Sequence, residues 1–425
     1  MQRTKTWMAA LWVVLAASGL SYGQATTDSK AALKPGDFVA VCGDPITEQK
    51  AYSVYIENYL LMCQPTTELR TLQAGWGGEV ADGFAKRMAA DVLILKPTVA
   101  TTCYGMNDGG YGPLNSTKIA WYRAAQKKII QSFKTAGVRM IIIGSPGVVD
   151  SDTYRKNSAE VYNKSLGQLG DICKELAAEE GVIFADVHTP MMDVMAKSKE
   201  KYGKTYHLGG GDGVHPGANG HLVMAYAFLK AMGCDGNIGT ITMNLGGNKA
   251  TASAGHTVLS AADGTVEIES SRYPFCFYGD PTSPTSNRGP LEFLPFNQEL
   301  NRLQLVVQGA SANAKYKVTW GETSKEFDGV QLAKGINLAA EFLDNPFSKP
   351  FSEVDKVIRQ QQGYETNLTK SILHNLQFYR DLAPEESATL DRVAAKAIDK
   401  DTVLAKASTA AVKPVKHSLK VELLK

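Results

Sequence analysis

Asp212 and His215 stand three residues apart in the run Asp212-Gly-Val-His-Pro216, just ahead of a helical pattern. At that spacing a carboxylate can hold an imidazole in one tautomer and support it as a general base. A simple turn stopped by Pro216 is the plainer use of the same residues. Three other Gly-rich runs carry polar residues: Cys42-Gly-Asp-Pro-Ile-Thr-Glu48, Gly75-Trp-Gly-Gly-Glu79 and Gly105-Met-Asn-Asp-Gly-Gly110. Each alone is ordinary turn chemistry, but together they form a pattern. Trp76 and Tyr104 lie beside them, where an aromatic face can stack on a sugar, although either also suits a core. Asp186 and His188 suggest a metal pair without a third ligand, and His207 and His221 have no spacing argument. The six cysteines stand singly, with no CxxC, and read as buried thiols; a disulfide between some pair stays open. No metal or cofactor is expected.

The elements that would position these runs follow from periodicity. Short apolar stretches at Phe38–Cys42, Leu69–Leu72, Val99–Cys103, Arg139–Ile143 and Val182–Val187 predict five strands. Amphipathic patterns between them predict helices: Ile56, Tyr59, Leu60 and Cys63 define one face, and similar segments lie near 80–90, 117–135, 154–180 and 218–232. This alternation is that of an α/β domain with a parallel, doubly wound sheet, whose site lies at the carboxyl ends of the strands. The unusual runs fall at or near those ends. Residues 235–340 alternate apolar and polar residues between Gly, Thr and Ser, predicting a β-rich domain, and 345–400 return to helical stripes. The Lys- and Ala-rich stretch 401–425 reads as a mobile tail.

The chain has 425 residues, 44% hydrophobic and 21% charged, which excludes global disorder and supports more than one domain. Its net charge of +2 gives no reason to expect nucleic acid or an anionic membrane. Arg3 and Lys5, an apolar run from Trp7 to Leu20 and small residues at Ser21 and Gly23 read as a secretory signal at 1–23. Losing those two charges brings the mature chain to zero. A secreted or periplasmic protein without a membrane span is expected, of undetermined oligomeric state. The sequons at Asn115, Asn163 and Asn367 matter only in a host that glycosylates exported proteins.

Over about residues 35–233 the four runs, taken together, resemble the SGNH hydrolases, or GDSL esterases and acylhydrolases. The resemblance implies a three-layer α/β/α, flavodoxin-like domain of about 30–233 with a parallel five-stranded sheet, followed here by the β-rich domain and C-terminal helices. It implies acyl transfer on an ester, carbohydrate deacetylation among the reactions it suggests, with a small-molecule or glycan ester as ligand. Residue by residue, it makes Asp212 and His215 the orienting acid and base, Gly78 and Asn107 oxyanion-hole donors, and Gly43 and Asp44 the supports of the nucleophile motif. Where the family has its serine, this chain has Pro45. Proline lacks both the hydroxyl and the N–H, so the attacking atom and one oxyanion donor vanish together. Asp44 as N-cap and Pro45 at the first helical position would still fold well. Thr47 and Ser53 are weak substitutes as nucleophiles. The expectation is an SGNH protein with absent or severely reduced esterase activity. An active hydrolase using an unconventional nucleophile or activated water, and a glycan-binding or structural envelope protein, are the alternatives.

Overall fold

The computed structural model describes residues 32–424, so the proposed signal at 1–23 lies outside the described residues. Strands β1 (Phe38–Gly43), β2 (Arg70–Gly75), β3 (Val99–Cys103), β4 (Met140–Gly144) and β5 (Ile183–Ala185) form one sheet in the order β2-β1-β3-β4-β5. Every pair in it is parallel. β1, β3 and β4 are buried along their whole length, which explains why they read as continuous apolar runs rather than alternating ones. Among the connecting elements are α1 (Pro45–Glu48), α2 (Tyr52–Met62), α3 (Ala81–Asp91), α4 (Ser116–Thr135) and α5 (Ala159–Glu180), and after β5 come α6 (His188–Tyr202) and α7 (Ala218–Ala231). Tyr52, Ile56, Met191 and Phe228 cover one face of the sheet, and Phe84, Tyr122, Ile129 and Cys173 the other. This is the expected three-layer arrangement.

Several boundaries move, β2 running on to Gly75 rather than ending at Leu72, and two of the shifts have a clear local reason. α5 begins at Ala159 rather than near Tyr154 because Ser158 caps it, its hydroxyl accepting from Val161 N at 3.4 Å. β5 stops at Ala185 because the N–H groups of Val187 and His188 turn to Ser145 Oγ, both at 2.9 Å, and open α6 instead. α6 itself was not expected. Pro190 sits in its first turn, where the missing N–H is one of the helix's unpaired donors.

The β-rich part holds two sheets. β6 (Asn237–Asn244) and β7 (Lys249–Ala252) join β10 (Arg302–Gln308) and β13 (Ile336–Asn337) in the order β13-β10-β6-β7. β8 (His256–Ala262), β9 (Thr265–Ser270), β11 (Lys315–Trp320) and β12 (Thr323–Asp328) join β14 (Val415–Leu423) in the order β12-β11-β14-β9-β8. The reading of 401–425 as a mobile tail is therefore corrected. Helix α13 (Ser387–Ala411) runs through it, and β14 is the central strand of an antiparallel sheet. His417, Leu419 and Val421 alternate inward while the lysines face water, a period of two that the overall Lys and Ala content obscures.

The short helices α8 (Phe296–Glu299), α9 (Gly329–Lys334) and α10 (Leu338–Glu341) belong to the β-rich part, and α11 (Ser348–Asn367), α12 (His374–Leu382) and α13 form an arm that returns to the first domain. β2 is an edge strand, and its Gln73 N–H donates to Glu365 Oε2 of α11 at 2.6 Å, so the arm closes an edge otherwise open to strand pairing. One apolar cluster runs from Val39 and Val41 through Phe228 to Ile238, Phe275, Trp320 and Leu419. The N-terminal and β-rich parts thus share a core.

Candidate active site

The strand order reverses between β1 and β3, which places their carboxyl ends at the crevice where doubly wound sheets bind ligands. Gly43 ends β1, in register with Gly75 of β2 and Cys103 of β3. A Cβ on Gly43 would lie 2.0 Å from Thr47 Oγ1, and one on Gly75 would lie 2.4 Å from Glu48 N. The paired glycines let α1 sit directly on the strand ends. Asp44 caps α1, accepting from Ile46 N at 3.0 Å, and Pro45 occupies its first position, half-buried. Burial pushes the Asp44 carboxyl up to about 8, with Asp108 and Glu79 adding to the rise against its backbone hydrogen bonds. The Ile46 N–H is thus turned to Asp44 and cannot replace the donor that Pro45 lacks. Thr47 is fully buried with its hydroxyl 2.7 Å from Tyr52 OH, and Ser53 is fully buried with its hydroxyl donating to Gln362 Oε1 at 2.7 Å.

Asp212 and His215 form a pair. Asp212 Oδ2 lies 2.6 Å from His215 Nδ1, while Oδ1 accepts from Val214 N and His215 N, both at 2.9 Å. Burial pushes the Asp212 carboxyl up, but these hydrogen bonds outweigh it and hold the group below its ordinary range. An ionised Asp212 fixes Nδ1 as the donor and leaves Nε2 as the basic nitrogen. Nε2 of His215 makes no hydrogen bond among the described residues, and the side chain is 37% exposed. The Gly209–Gly211 run is a tight seat. A Cβ on Gly210 would fall 1.7 Å from the His215 carbonyl, and one on Gly209 would fall 2.7 Å from Asp150 N.

Asp150 was missed by the sequence reading. It is fully buried, accepts from Leu208 N at 2.9 Å and from Lys199 Nζ at 2.9 Å, and its own N–H donates to the Gly213 carbonyl at 2.9 Å. It therefore braces the loop that carries the Asp212–His215 pair. The signal was an Asp-Ser-Asp-Thr run after the fourth strand, whose loop went unread. His221, six residues after His215, accepts from Tyr52 N at 3.3 Å through Nδ1, and Nε2 lies 2.9 Å from Gln49 Oε1. Burial pushes its pKa down to about 3, so a neutral imidazole ties α7 to the α1–α2 connection.

The Gly75–Glu79 and Gly105–Gly110 loops are joined to each other. Asn107 Nδ2 donates to the Glu79 carbonyl at 2.9 Å and its Oδ1 accepts from Tyr111 OH at 2.5 Å, leaving the second amide hydrogen available. Gly78 adopts φ +74, a left-handed conformation that favours glycine, and its N–H has no hydrogen-bond partner among the described residues. Tyr111 lies within the field of both Asp44 and Asp212; burial first and then these charges raise its hydroxyl pKa. Tyr104 is buried, its hydroxyl donating to Glu79 Oε2 at 2.7 Å, and Glu79 is held by Arg87 at 2.6 Å. Tyr104 is thus part of the loop's support rather than an open stacking face. Trp76 is half-buried, its N–H bonded to the Gly43 carbonyl at 2.9 Å.

The remaining candidates are engaged locally. Asp186 accepts from Thr189 N at 3.0 Å, His188 Nδ1 lies 3.0 Å from the Gly147 carbonyl, and His207 Nδ1 lies 2.7 Å from the Thr205 carbonyl. No group of three His, Cys, Asp or Glu suited to a metal occurs among the described residues. The six cysteines are buried free thiols; burial pushes Cys42, Cys173 and Cys234 up to about 12.

Residues 39–223 match the GDSL-like Lipase/Acylhydrolase family. An acetylxylan esterase of Geobacillus stearothermophilus is 24% identical over 212 residues, covering 47% of this chain and 91% of that protein. The structure of a gut microbial diltiazem-metabolizing enzyme superposes with a TM-score of 0.71 at 23% identity, covering 92% of this chain and 99% of that one. That likeness is one of fold, and it extends through the β-rich part and the helical arm.

Proposed function

Residues 39–223 belong to the GDSL-like lipase/acylhydrolase (SGNH) family, and we infer that the chain is an exported member directed at carbohydrate esters, whose pocket binds an acylated glycan without turning it over. The observation that carries this reading is Pro45 at the head of α1 in a chain whose Asp212–His215 pair is formed. Loss of one oxyanion donor costs about 100–1,000-fold in rate, and loss of the nucleophile leaves only binding and electrostatics. Thr47 and Ser53, with buried and bonded hydroxyls, offer no replacement. The likeness to an acetylxylan esterase supports an acetylated polysaccharide as the ligand class.

The intact pair also favours a second reading, slow hydrolysis by water that His215 activates. The two part in a direct assay. We expect the purified protein to give no turnover of aryl acetates above a His215→Ala control and no adduct with a serine-directed fluorophosphonate, while binding an acetylated xylan oligosaccharide. Turnover abolished by His215→Ala would support the water mechanism, and a fluorophosphonate adduct anywhere in 44–53 would overturn both.

A further inference from the structure

A groove of about 520 Å³ opens between the Gly75–Glu79 loop, α3 and α12, within the range of about 300–1,000 Å³ usual for ligand sites. Trp76 lines it, two residues from Gly78, so the groove begins beside the candidate oxyanion loop. The Trp76 ring is clamped: Arg87 lies 4.6 Å from its centroid, Lys370 Nζ 4.9 Å, and the His374 ring 4.8 Å in an edge-on arrangement. The opposite wall is the C-terminal arm. Between α11 and α12 the helix widens into a π turn, Leu368–Leu373, and this is the segment that delivers Lys370 and His374 to Trp76. Such turns within helices concentrate at functional sites.

The polar groups of this wall are fixed in advance. His374 Nδ1 lies 3.0 Å from Asp91 Oδ2, which makes Nδ1 the donor and frees Nε2 to accept. Gln377 Nε2 donates to Asp381 Oδ1 at 3.0 Å, leaving the amide oxygen and the second carboxylate oxygen as acceptors. Phe378, also lining the groove, is 64% exposed, an apolar ring standing in water at a polar rim. The other charges of the lining are matched within the protein, Arg87 with Glu79 and Lys86 with Asp82, each at 2.6 Å, while Asp381 has only the neutral Gln377 amide as a partner among the described residues. A groove with an exposed ring and a row of fixed acceptors, one of them the Asp381 carboxylate, disfavours an anion and suits a neutral polyol whose hydroxyls donate.

We propose that this groove is a subsite for a neutral polysaccharide chain, one sugar ring stacking on Phe378 while hydroxyls donate to His374 Nε2, Gln377 and Asp381. It rests on the carbohydrate reading above and deepens it: the acylated sugar sits at Gly78, Asn107 and His215, and the chain continues past Trp76 onto the arm. The test is calorimetry on the full chain with β-1,4-xylohexaose, unacetylated and acetylated, alongside cellohexaose and mannohexaose. At least one unacetylated hexasaccharide should bind the wild type. Phe378→Ala should weaken that binding roughly tenfold, the order of one aromatic contact, and Phe378→Tyr should restore it. The phenylalanine is exposed, so unchanged melting will show that the fold is intact. If acetylated and unacetylated chains bind alike and Phe378→Ala still weakens both, the ester-pocket reading fails and the groove stands. Failure of every hexasaccharide to bind at millimolar concentration, or equal affinity in Phe378→Ala, would overturn the groove.

Discussion

On the reading proposed above, Pro45 changes one residue and removes two functions, because the resemblance places the nucleophile and one oxyanion donor on the same amino acid. The helix loses nothing by it, since the N–H that proline lacks would be unpaired at that position. A consequence is that Pro45→Ser should return both functions to a turn already shaped for them. We expect measurable hydrolysis of acetyl esters from the variant, rising through the histidine pH range, and its loss on adding His215→Ala. A folded Pro45→Ser protein inert toward acetyl, feruloyl and longer acyl esters would show that the turn has drifted, since about 1 Å of misplacement costs on the order of 100-fold. Gly210 gives a second check in that background. Its Cβ would collide with the His215 carbonyl, so Gly210→Ala should cut the restored activity by at least tenfold, while Gly211→Ala, whose nearest neighbour is His207 Nε2 at 3.8 Å, should have little effect. Equal rates for the two variants would deny the Gly run its positioning role.

At the scale of elements, the helical arm is fastened by carboxyls with few cations to balance them. Glu57 of α2, Glu365 of α11 and Asp401 of α13 are buried together, with Arg70 of β2 on Asp401 and the amides of Gln361 and Gln362 on Glu57. Tyr364 and Lys400 lie at the margin of this cluster. Burial pushes all three carboxyls up, and the charge of neighbouring acids adds to this at Glu57 and Glu365. The folded arm therefore holds protons that the unfolded chain would release. That stability is complete below the ordinary carboxylate range and is lost as pH rises through the raised values. Above the ordinary histidine range, where buried imidazoles no longer oppose it, melting should fall between about pH 6.5 and about pH 8, and Glu57→Gln, which keeps the shape and removes one charge, should flatten that fall; a wild-type curve flat over this interval would exclude the proton-held arm. This junction was invisible in the sequence, because its members lie hundreds of residues apart and none has a periodicity that points at another. The strands and the four loop runs were legible because local apolar patterns and turn residues encode them. Asp150 and the arm's grip on β2 were not, since they act through tertiary contact alone.

Over the whole molecule, the chain's last strand is built into its centre. β14 lies between β9 and β11, and a directed chain of hydrogen bonds passes through it: Trp320 Nε1 donates to His417 Nδ1 at 3.1 Å, His417 Nε2 to Ser270 Oγ at 2.9 Å, and Ser270 to His256 Nδ1 at 2.7 Å. His256 Nε2 ends the chain on the Ile238 carbonyl at 3.1 Å, so each imidazole is neutral with one donor and one acceptor in use. Burial pushes His417 down to about 4 and lowers His256 as well. The stability these groups add is present above the ordinary histidine range and is lost as pH falls toward 4, opposite in sign to the arm. Because the apolar core continues from this sheet into the three-layer domain and includes Ile46, a defect at β14 should be felt at Pro45. Truncation after Val412 would expose the edges of β9 and β11 and empty the sites of Leu419 and Val421, a large loss against a typical total stability of about 5–15 kcal/mol. We expect the truncated chain to be insoluble, or to lose its cooperative melting transition together with binding of the acetylated oligosaccharide. A soluble truncation that melts as the full chain does and keeps its affinity would mean that residues 39–223 stand alone, and that the shared core contributes nothing to holding the site.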